Sequence, residues 1–269
     1  MPIASRRNPQ AKEWRQLRRP EVARAAERVF VEGPHPVLQA LESGLTAEAV
    51  IVCPQLAKPD TIELVRQRAG ESVRLWEVTR EVFEYLSERD GPSGIAAVMP
   101  LRLCPLSELE PDSLVIALWR VENPGNLGTI LRTANAFGAS GVILVDNCTN
   151  PYHTAVVKAS MGAVFHTPLA VCTNLTELVR WCRGHSLVLT GTSARARDVS
   201  PDWAPHLPLV LLFGSEGDGL PPEASGFCDE MIRIPMFGIN TSLNLATAVG
   251  ILSYLAVAGS RGDQPKENR

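Results

Sequence analysis

Three short segments hold the polar side chains best suited to chemistry: NPGNLGTILRTANAFG at 123–138, LLFGSEGDGL at 211–220 and IRIPMFGINTSLNLATAVG at 232–250. Each sets a polar loop between an apolar run and a helical pattern. Within them, Asn126, Arg132, Glu216, Ser242 and Asn244 offer a guanidinium, a carboxylate, two amides and a hydroxyl. Such a set can cage a hydroxyl or an anion by hydrogen bonding. Leu127, Ile130, Leu131, Ala134 and Phe137 follow helical spacing and bury one stripe, which leaves Arg132 off it. From the residues alone, two roles stand open for each of three groups. Arg132 reaches a ligand or pairs with a surface acid, Asn126 belongs to the cage or caps a helix, and Asn244 belongs to the cage or serves first-turn backbone. Glu216 lies between glycines directly after an apolar run, where the backbone can approach a ligand closely. The glycines lack the Lys-Ser/Thr of a phosphate loop and do not fit G-x-G-x-x-G before a helix, so an ATP- or NAD-binding enzyme is poorly supported.

In this order, the three segments resemble the signature motifs of the SpoU (TrmH-type) branch of the SPOUT RNA methyltransferases. All five polar positions match, and the resemblance covers 114–258. It implies S-adenosylmethionine as donor and a ribose 2'-hydroxyl of RNA as acceptor. Asn126, Arg132, Glu216, Ser242 and Asn244 then fall on the family's catalytic positions. Gly214, Ile234 and Leu243 fall where the family holds the adenosyl group, with Thr190 and Gly191 at a neighbouring strand end. The resemblance also implies a trefoil-knotted sheet and a homodimer with its active site beside the subunit interface. On this reading Arg132 binds the nucleotide phosphate and places the 2'-hydroxyl, since an arginine stays protonated and makes a poor base. Glu216 is expected to fix that guanidinium and help relay the proton. The 2'-hydroxyl distinguishes RNA from DNA, so RNA is the expected substrate, ribosomal RNA ahead of transfer RNA. A catalytically silent RNA-binding protein of the same fold is the alternative.

Positioning these loops requires a sheet. Strand-like runs at 114–119, 141–145, 186–190, 208–213 and 231–234, with helical patterns between them, predict an α/β domain whose parallel sheet is covered on both faces. Ligands collect beyond the carboxyl ends of such strands, where the three motifs sit. The last motif predicts a helix starting near Leu243, capped by Thr241 or Ser242 and apolar almost all round, as suits a core or a subunit interface.

Upstream, apolar runs at 28–31, 49–52, 73–76 and 94–98 alternate with helical patterns at 36–42 and 61–68, which predicts a small separate α/β unit. Its segment ERVFVEGPHPVLQALESG, 27–44, is similar to the substrate-binding domain that precedes many SpoU catalytic domains, a fold akin to a ribosomal-protein RNA-binding domain. Gly33-Pro34 suits a helix start. Three prolines between Met99 and Asp112 suggest a linker. The expected division is 1–104 for RNA binding, 112–260 for catalysis and a flexible tail at 261–269.

Composition sets outer bounds. The chain has 269 residues, 45% of them hydrophobic, enough for two packed cores. No long apolar window or secretory leader stands out, so a soluble cytoplasmic protein is expected. Six scattered cysteines and five histidines show no metal-ligand spacing, and no metal is assigned. The net charge of -3 conceals a basic start. The first 28 residues carry eight basic side chains against three acidic ones, a net of +5, with Arg15, Arg18 and Arg19 as candidate RNA contacts. Trp14 suits packing beneath that helix better than stacking on a base.

Overall fold

The computed structural model describes residues 1–260, and the expected tail at 261–269 lies outside them. The chain divides into two compact units: Met1–Arg102 with Asn150–His166, and Leu103–Thr149 with Thr167 onward.

In the first unit, proline opens helix after helix, because its fixed φ suits the first turn and its missing N–H is not needed there. It does so in α1 (Pro9–Gln16), α2 (Pro20–Ala26), α3 (Pro34–Leu41) and α4 (Pro59–Ala69). Strands β1 (Arg28–Glu32), β2 (Ala49–Val52), β3 (Leu75–Glu77) and β4 (Ile95–Pro100) form a mixed sheet in the order β1-β4-β2-β3. α5 (Arg80–Leu86) precedes β4. Trp14 is 2% exposed and meets Trp76 edge to face at 5.6 Å, so it is a core residue. Gly33 precedes Pro34 with φ +113°, a conformation that favours glycine.

The expected linker at 99–112 is overturned. Met99 and Pro100 still belong to β4, where Pro100 pairs only with Arg28 at the strand end, a place that tolerates its missing N–H. Cys104–Pro105 forms β5, an edge strand of the second unit's sheet. Prolines here mark strand ends and a sheet edge.

The second unit continues with β6 (Leu114–Trp119), α6 (Pro124–Ala136) and β7 (Gly141–Val145). The chain then returns to the first unit for α7 (Thr154–Ser160) before β8 (Leu169–Cys172) and α8 (Leu175–Gly184). There follow β9 (Val188–Asp198), β10 (Leu209–Phe213), α9 (Ala224–Phe227), β11 (Glu230–Arg233) and α10 (Leu245–Ser260). Seven strands pair in the order β11-β9-β10-β6-β7-β8-β5, every pair parallel. β6, β7 and β10 are buried almost throughout, which explains their unbroken apolar runs. Val115, Ala117, Val210 and Leu212 share one core with Leu178 and Trp181 of α8. Strand alternation sends Ile116, Leu118, Leu211 and Phe213 to the opposite face, where α10 meets β6 and β10.

Chain order reverses at the centre: β7 and β8 lie to one side of β6, while β10 and β9 lie to the other. A crevice at the carboxyl ends of β6 and β10 is the binding position of such sheets. Asn123 follows β6, and Gly214 follows β10.

Candidate active site

The site begins with the entry to α6. Asn123 caps it, its Oδ1 accepting from the backbone N–H groups of Gly125 at 2.8 Å and Asn126 at 3.2 Å. That answers the question left open for Asn126, which sits one turn inside with its amide free for other work. Asn126 Nδ2 donates to Glu216 Oε1 at 2.9 Å, and Asn126 Oδ1 accepts from Asn244 Nδ2 at 3.0 Å. Asn244 in turn caps α10, its Oδ1 accepting from Ala246 N at 2.9 Å and Thr247 N at 3.3 Å. The expected cap at Thr241 or Ser242 is therefore corrected: the helix starts two residues later than predicted, at Leu245, with asparagine as its cap.

The direction of this chain is fixed by chemistry. Backbone N–H groups can only donate, so Asn244 must turn its oxygen to them and its nitrogen to Asn126. Asn126 must then turn its nitrogen to the carboxylate. One donor-to-acceptor line joins the three motifs.

Glu216 ends that line and collects more donors. Its Oε2 accepts from Glu122 N at 3.2 Å, and its Oε1 also accepts from Asn123 N at 3.2 Å. The carboxylate thus sits at the N-terminus of α6, where the helix dipole favours an anion. Burial is the largest single influence on its pKa and pushes it up, but the hydrogen bonds from Asn126 and the backbone together outweigh burial and hold it below the ordinary value. Glu216 is therefore ionised at neutral pH with its lone pairs engaged.

Arg132 stands apart. It is exposed, and among the described residues its side chain makes no hydrogen bond or ion pair. The expectation that Glu216 fixes its guanidinium is overturned, as is pairing with a surface acid. Helix geometry gives the reason: six residues beyond Asn126 lies about 9 Å further along the axis and roughly 240° around it. Ser242 is likewise exposed and without a hydrogen-bond partner among the described residues.

The positions matched to donor binding divide into two kinds. Gly191 and Gly214 are demanded by the fold itself. A Cβ on Gly191 would lie 2.4 Å from Met231 Sδ, and one on Gly214 would lie 2.0 Å from the carbonyl carbon of Gly219. The second conflict arises because Ser215 and Gly219 close a tight turn by exchanging backbone hydrogen bonds at 3.1 Å. Thr190 is fully buried, with its hydroxyl donated to Glu230 Oε1 at 3.0 Å, so that side chain faces its own sheet neighbour. Ile234 is half-buried and Leu243 is 37% exposed, and they bound a different kind of loop. From Ile234 to Leu243, no backbone N–H or C=O is hydrogen-bonded among the described residues. Unpaired backbone groups beside Met236 and Leu243 suit a ligand with a heteroaromatic ring and polar edges.

Sequence reasoning missed Asn123, although Asn-Pro ahead of a helical stripe is a recognisable N-terminal signal. In the first unit, Arg15 donates to the Tyr85 carbonyl and lies 4.2 Å over its ring. Arg18 pairs with Glu88 at 2.7 Å, whereas Arg19 is exposed without a side-chain partner among the described residues. All three line a cleft of about 560 Å³ with Lys12, Tyr85 and Glu88. Among the described residues, no group of three or more His, Cys, Asp or Glu side chains is placed to hold a metal. Burial pushes the thiols of Cys148, Cys172 and Cys228 up to about 11 and that of Cys182 to about 12, which keeps them protonated.

A reversed parallel sheet with polar loops at its carboxyl ends defines an α/β class of ligand-binding proteins, and the family comparisons narrow it. The SpoU rRNA Methylase family matches residues 113–254, and an MRM3-like substrate binding domain matches 8–97. The chain belongs to the SpoU family of RNA methyltransferases. An AdoMet-bound rRNA methyltransferase from Sinorhizobium meliloti superposes with a TM-score of 0.83 at 33% identity, over 95% of this chain and 96% of that one. A structure described as an RNA 2'-O ribose methyltransferase gives 0.79 at 28% identity, over 96% and 99%. YacO of Bacillus subtilis (strain 168), a putative TrmH family tRNA/rRNA methyltransferase, is 28% identical over 232 residues, 84% of this chain and 93% of that protein. No described helix is long and apolar enough to cross a membrane.

Proposed function

We propose that the protein transfers the methyl group of S-adenosylmethionine to a ribose 2'-hydroxyl of RNA, with ribosomal RNA as substrate. The observation that carries this reading is the hydrogen-bonded line Asn244–Asn126–Glu216, which gathers all three motifs at the sheet's reversal and leaves Arg132 unengaged. The donor, when bound, supplies a methyl group on a sulfonium. The backbone of 234–243 is its proposed seat, beside Gly191 and Gly214. Arg132 stays protonated and serves to hold a phosphate so that the 2'-hydroxyl lies in line with the methyl carbon, an orientation that can supply much of the barrier reduction. Glu216, ionised and saturated with donors, acts as the anchor of the cage and is a poor proton acceptor, so as the hydroxyl oxygen gains the methyl group its proton leaves to solvent at this open site. Ser242, exposed beside Asn244, is the cage member left for the substrate.

The same reading includes a knotted carboxyl-terminal sheet, a cytoplasmic location and a homodimer. α10 buries Val249, Leu252 and Ala256 but leaves Tyr254 58% exposed, while Phe237 and Ile239 are almost fully exposed. Large apolar side chains left exposed in this way support an interface between two copies of the chain. Arg15, Arg18 and Arg19 are its proposed RNA contacts in the first unit.

The test supplies methyl-labelled donor with unmodified ribosomal and transfer RNA transcripts. Label resistant to alkali at a ribose of ribosomal RNA is the expected result. Label on a base refutes the 2'-hydroxyl, label confined to transfer RNA refutes the substrate, and donor binding without transfer indicates the silent RNA-binding alternative. Sedimentation should give twice the chain mass of 29.2 kDa; a monomer at micromolar concentration refutes the dimer.

A further inference from the structure

β9 is eleven residues long, while its partners β10 and β11 have five and four. Its pairing with β11 matches Thr190 to Glu230 and Gly191 to Met231, then jumps so that Ile232 opposes Arg197 and Arg233 opposes Asp198. Residues 192–196 are thus an excursion with no counterpart on β11. Inserted residues of this kind re-aim side chains and are common beside active sites.

The excursion is fastened at every corner. At its base, Thr192 Oγ1 donates to the Leu212 carbonyl at 3.1 Å. At its far end, Arg197 pairs with Glu230 and Arg233 pairs with Asp198, and Arg233 Nη1 also donates to the Ala194 carbonyl at 3.3 Å. Inside it, Arg195 N donates to Ser193 Oγ at 3.2 Å. Of the three arginines, two are neutralised by acids and fix the backbone. Arg195, between Ala194 and Ala196, is exposed, and its guanidinium has no hydrogen bond or ion pair among the described residues. A cation so presented, on a fixed bulge that leaves the sheet right after Gly191, suits an anion approaching the carboxyl ends of the strands.

We infer that Arg195 is a second phosphate-binding residue of the methyl-transfer site, gripping an RNA phosphate near the target nucleotide and so helping to orient it. The inference rests on the proposed reading of the site as RNA-modifying. A planar guanidinium is the side chain best fitted to two phosphate oxygens, and Arg197 and Arg233 keep its mounting rigid.

The experiment compares wild type, Arg195→Ala and Arg195→Lys on an unmodified ribosomal RNA transcript. It measures KM for RNA, the salt dependence of RNA affinity and donor affinity by calorimetry. Arg195→Ala should raise KM about three- to tenfold and lower the salt slope by about 0.7 to 0.9, the signature of one lost phosphate contact, with donor affinity unchanged. Arg195→Lys should restore the slope but only part of KM. Unchanged KM and slope in a transferring enzyme overturn the inference, and so does a fall in donor affinity, which would assign Arg195 to the donor's carboxylate. If wild type binds RNA without methylating it, the reading of the site fails, while the slope still decides on Arg195.

Discussion

The arginines of the first unit's surface and Arg132 at the second unit's motif loops are used differently. Around the first unit many are tied to acids, Arg18 to Glu88, Arg28 to Glu13 and Glu48, Arg68 to Glu42 and Arg80 to Glu84, although Arg19 has no side-chain partner among the described residues. At the motif loops of the second, Arg132 has no acid, although Arg233 pairs with Asp198, and the one carboxylate among the five polar signature residues, Glu216, is held by amides and backbone instead. A run of basic residues is thus a poor guide to a free cation. Apart from Glu13, the acids paired with the basic start lie elsewhere in the chain, at Glu48, Glu81 and Glu88.

If the contrast is functional, its largest effect belongs to Arg132. Arg132→Ala should lower methyl transfer by about 30- to 1000-fold, on the order of 2–4 kcal/mol of transition-state stabilisation, with donor affinity within a few-fold of wild type. Arg132→Lys should rescue little, because an ammonium lacks the planar fork. Near-normal single-turnover transfer by a folded Arg132→Ala protein would erase the contrast.

Next in size comes the amide line. Asn126→Ala removes a donor to Glu216 and an acceptor for Asn244, a loss of about 1–3 kcal/mol. Asn126→Asp should be worse, because it sets a second carboxylate against Glu216. Chemical denaturation ranks the two, and equal stability would show that Asn126 does not bridge the motifs.

A smaller effect concerns pH. Glu216 has its folded pKa held below the unfolded value, so its contribution is complete above the ordinary carboxylate range and disappears as pH falls through the folded pKa. The stability gap between wild type and Glu216→Gln should be constant from pH 8 to about pH 5 and close below that. A gap that widened in acid would reverse the assignment.

The smallest effect sharpens the comparison within the first unit. Arg19→Gln should lower the salt slope of RNA binding by about 0.7 to 0.9, the full value for one phosphate. Arg18→Gln should lower it less, because Glu88 already holds that guanidinium. Equal slopes for the two variants would mean that pairing does not decide which arginine meets RNA.

Much of the second unit's sheet was legible in advance. β6 and β7 fall on the predicted 114–119 and 141–145, because a strand buried on both faces must be apolar throughout. β9 was predicted only over 186–190, since Ser193 to Asp198 is polar and its pairing depends on ion pairs with β11. β5 carries Pro105 and read as linker. At the site, the resemblance to the SpoU motifs picked out the five polar side chains, but their partners were not legible. Asn126 meets Glu216 across 90 positions and Asn244 across 118, and only the fold decides which side of α6 faces them.

The loop of chain at Asn150–His166 has a consequence for inheritance and engineering. By sequence it falls within the SpoU match at 113–254, yet it belongs spatially to the first unit. There Tyr152 Oη donates to the Leu101 carbonyl at 2.7 Å, His166 Nε2 meets the Gln39 carbonyl at 2.7 Å, and Gly162 lies so near Gln39 that a Cβ would sit 2.4 Å away. A gene fragment ending at Arg102 would therefore encode an incomplete object, with Val29, Phe30 and Val31 of β1 missing α7 as a neighbour. Recombination that exchanges amino-terminal units among relatives must carry two separated stretches of DNA to move one folded body. A single crossover would instead join a new body to an old clasp, so exchange of recognition modules by simple fusion is restricted in this architecture.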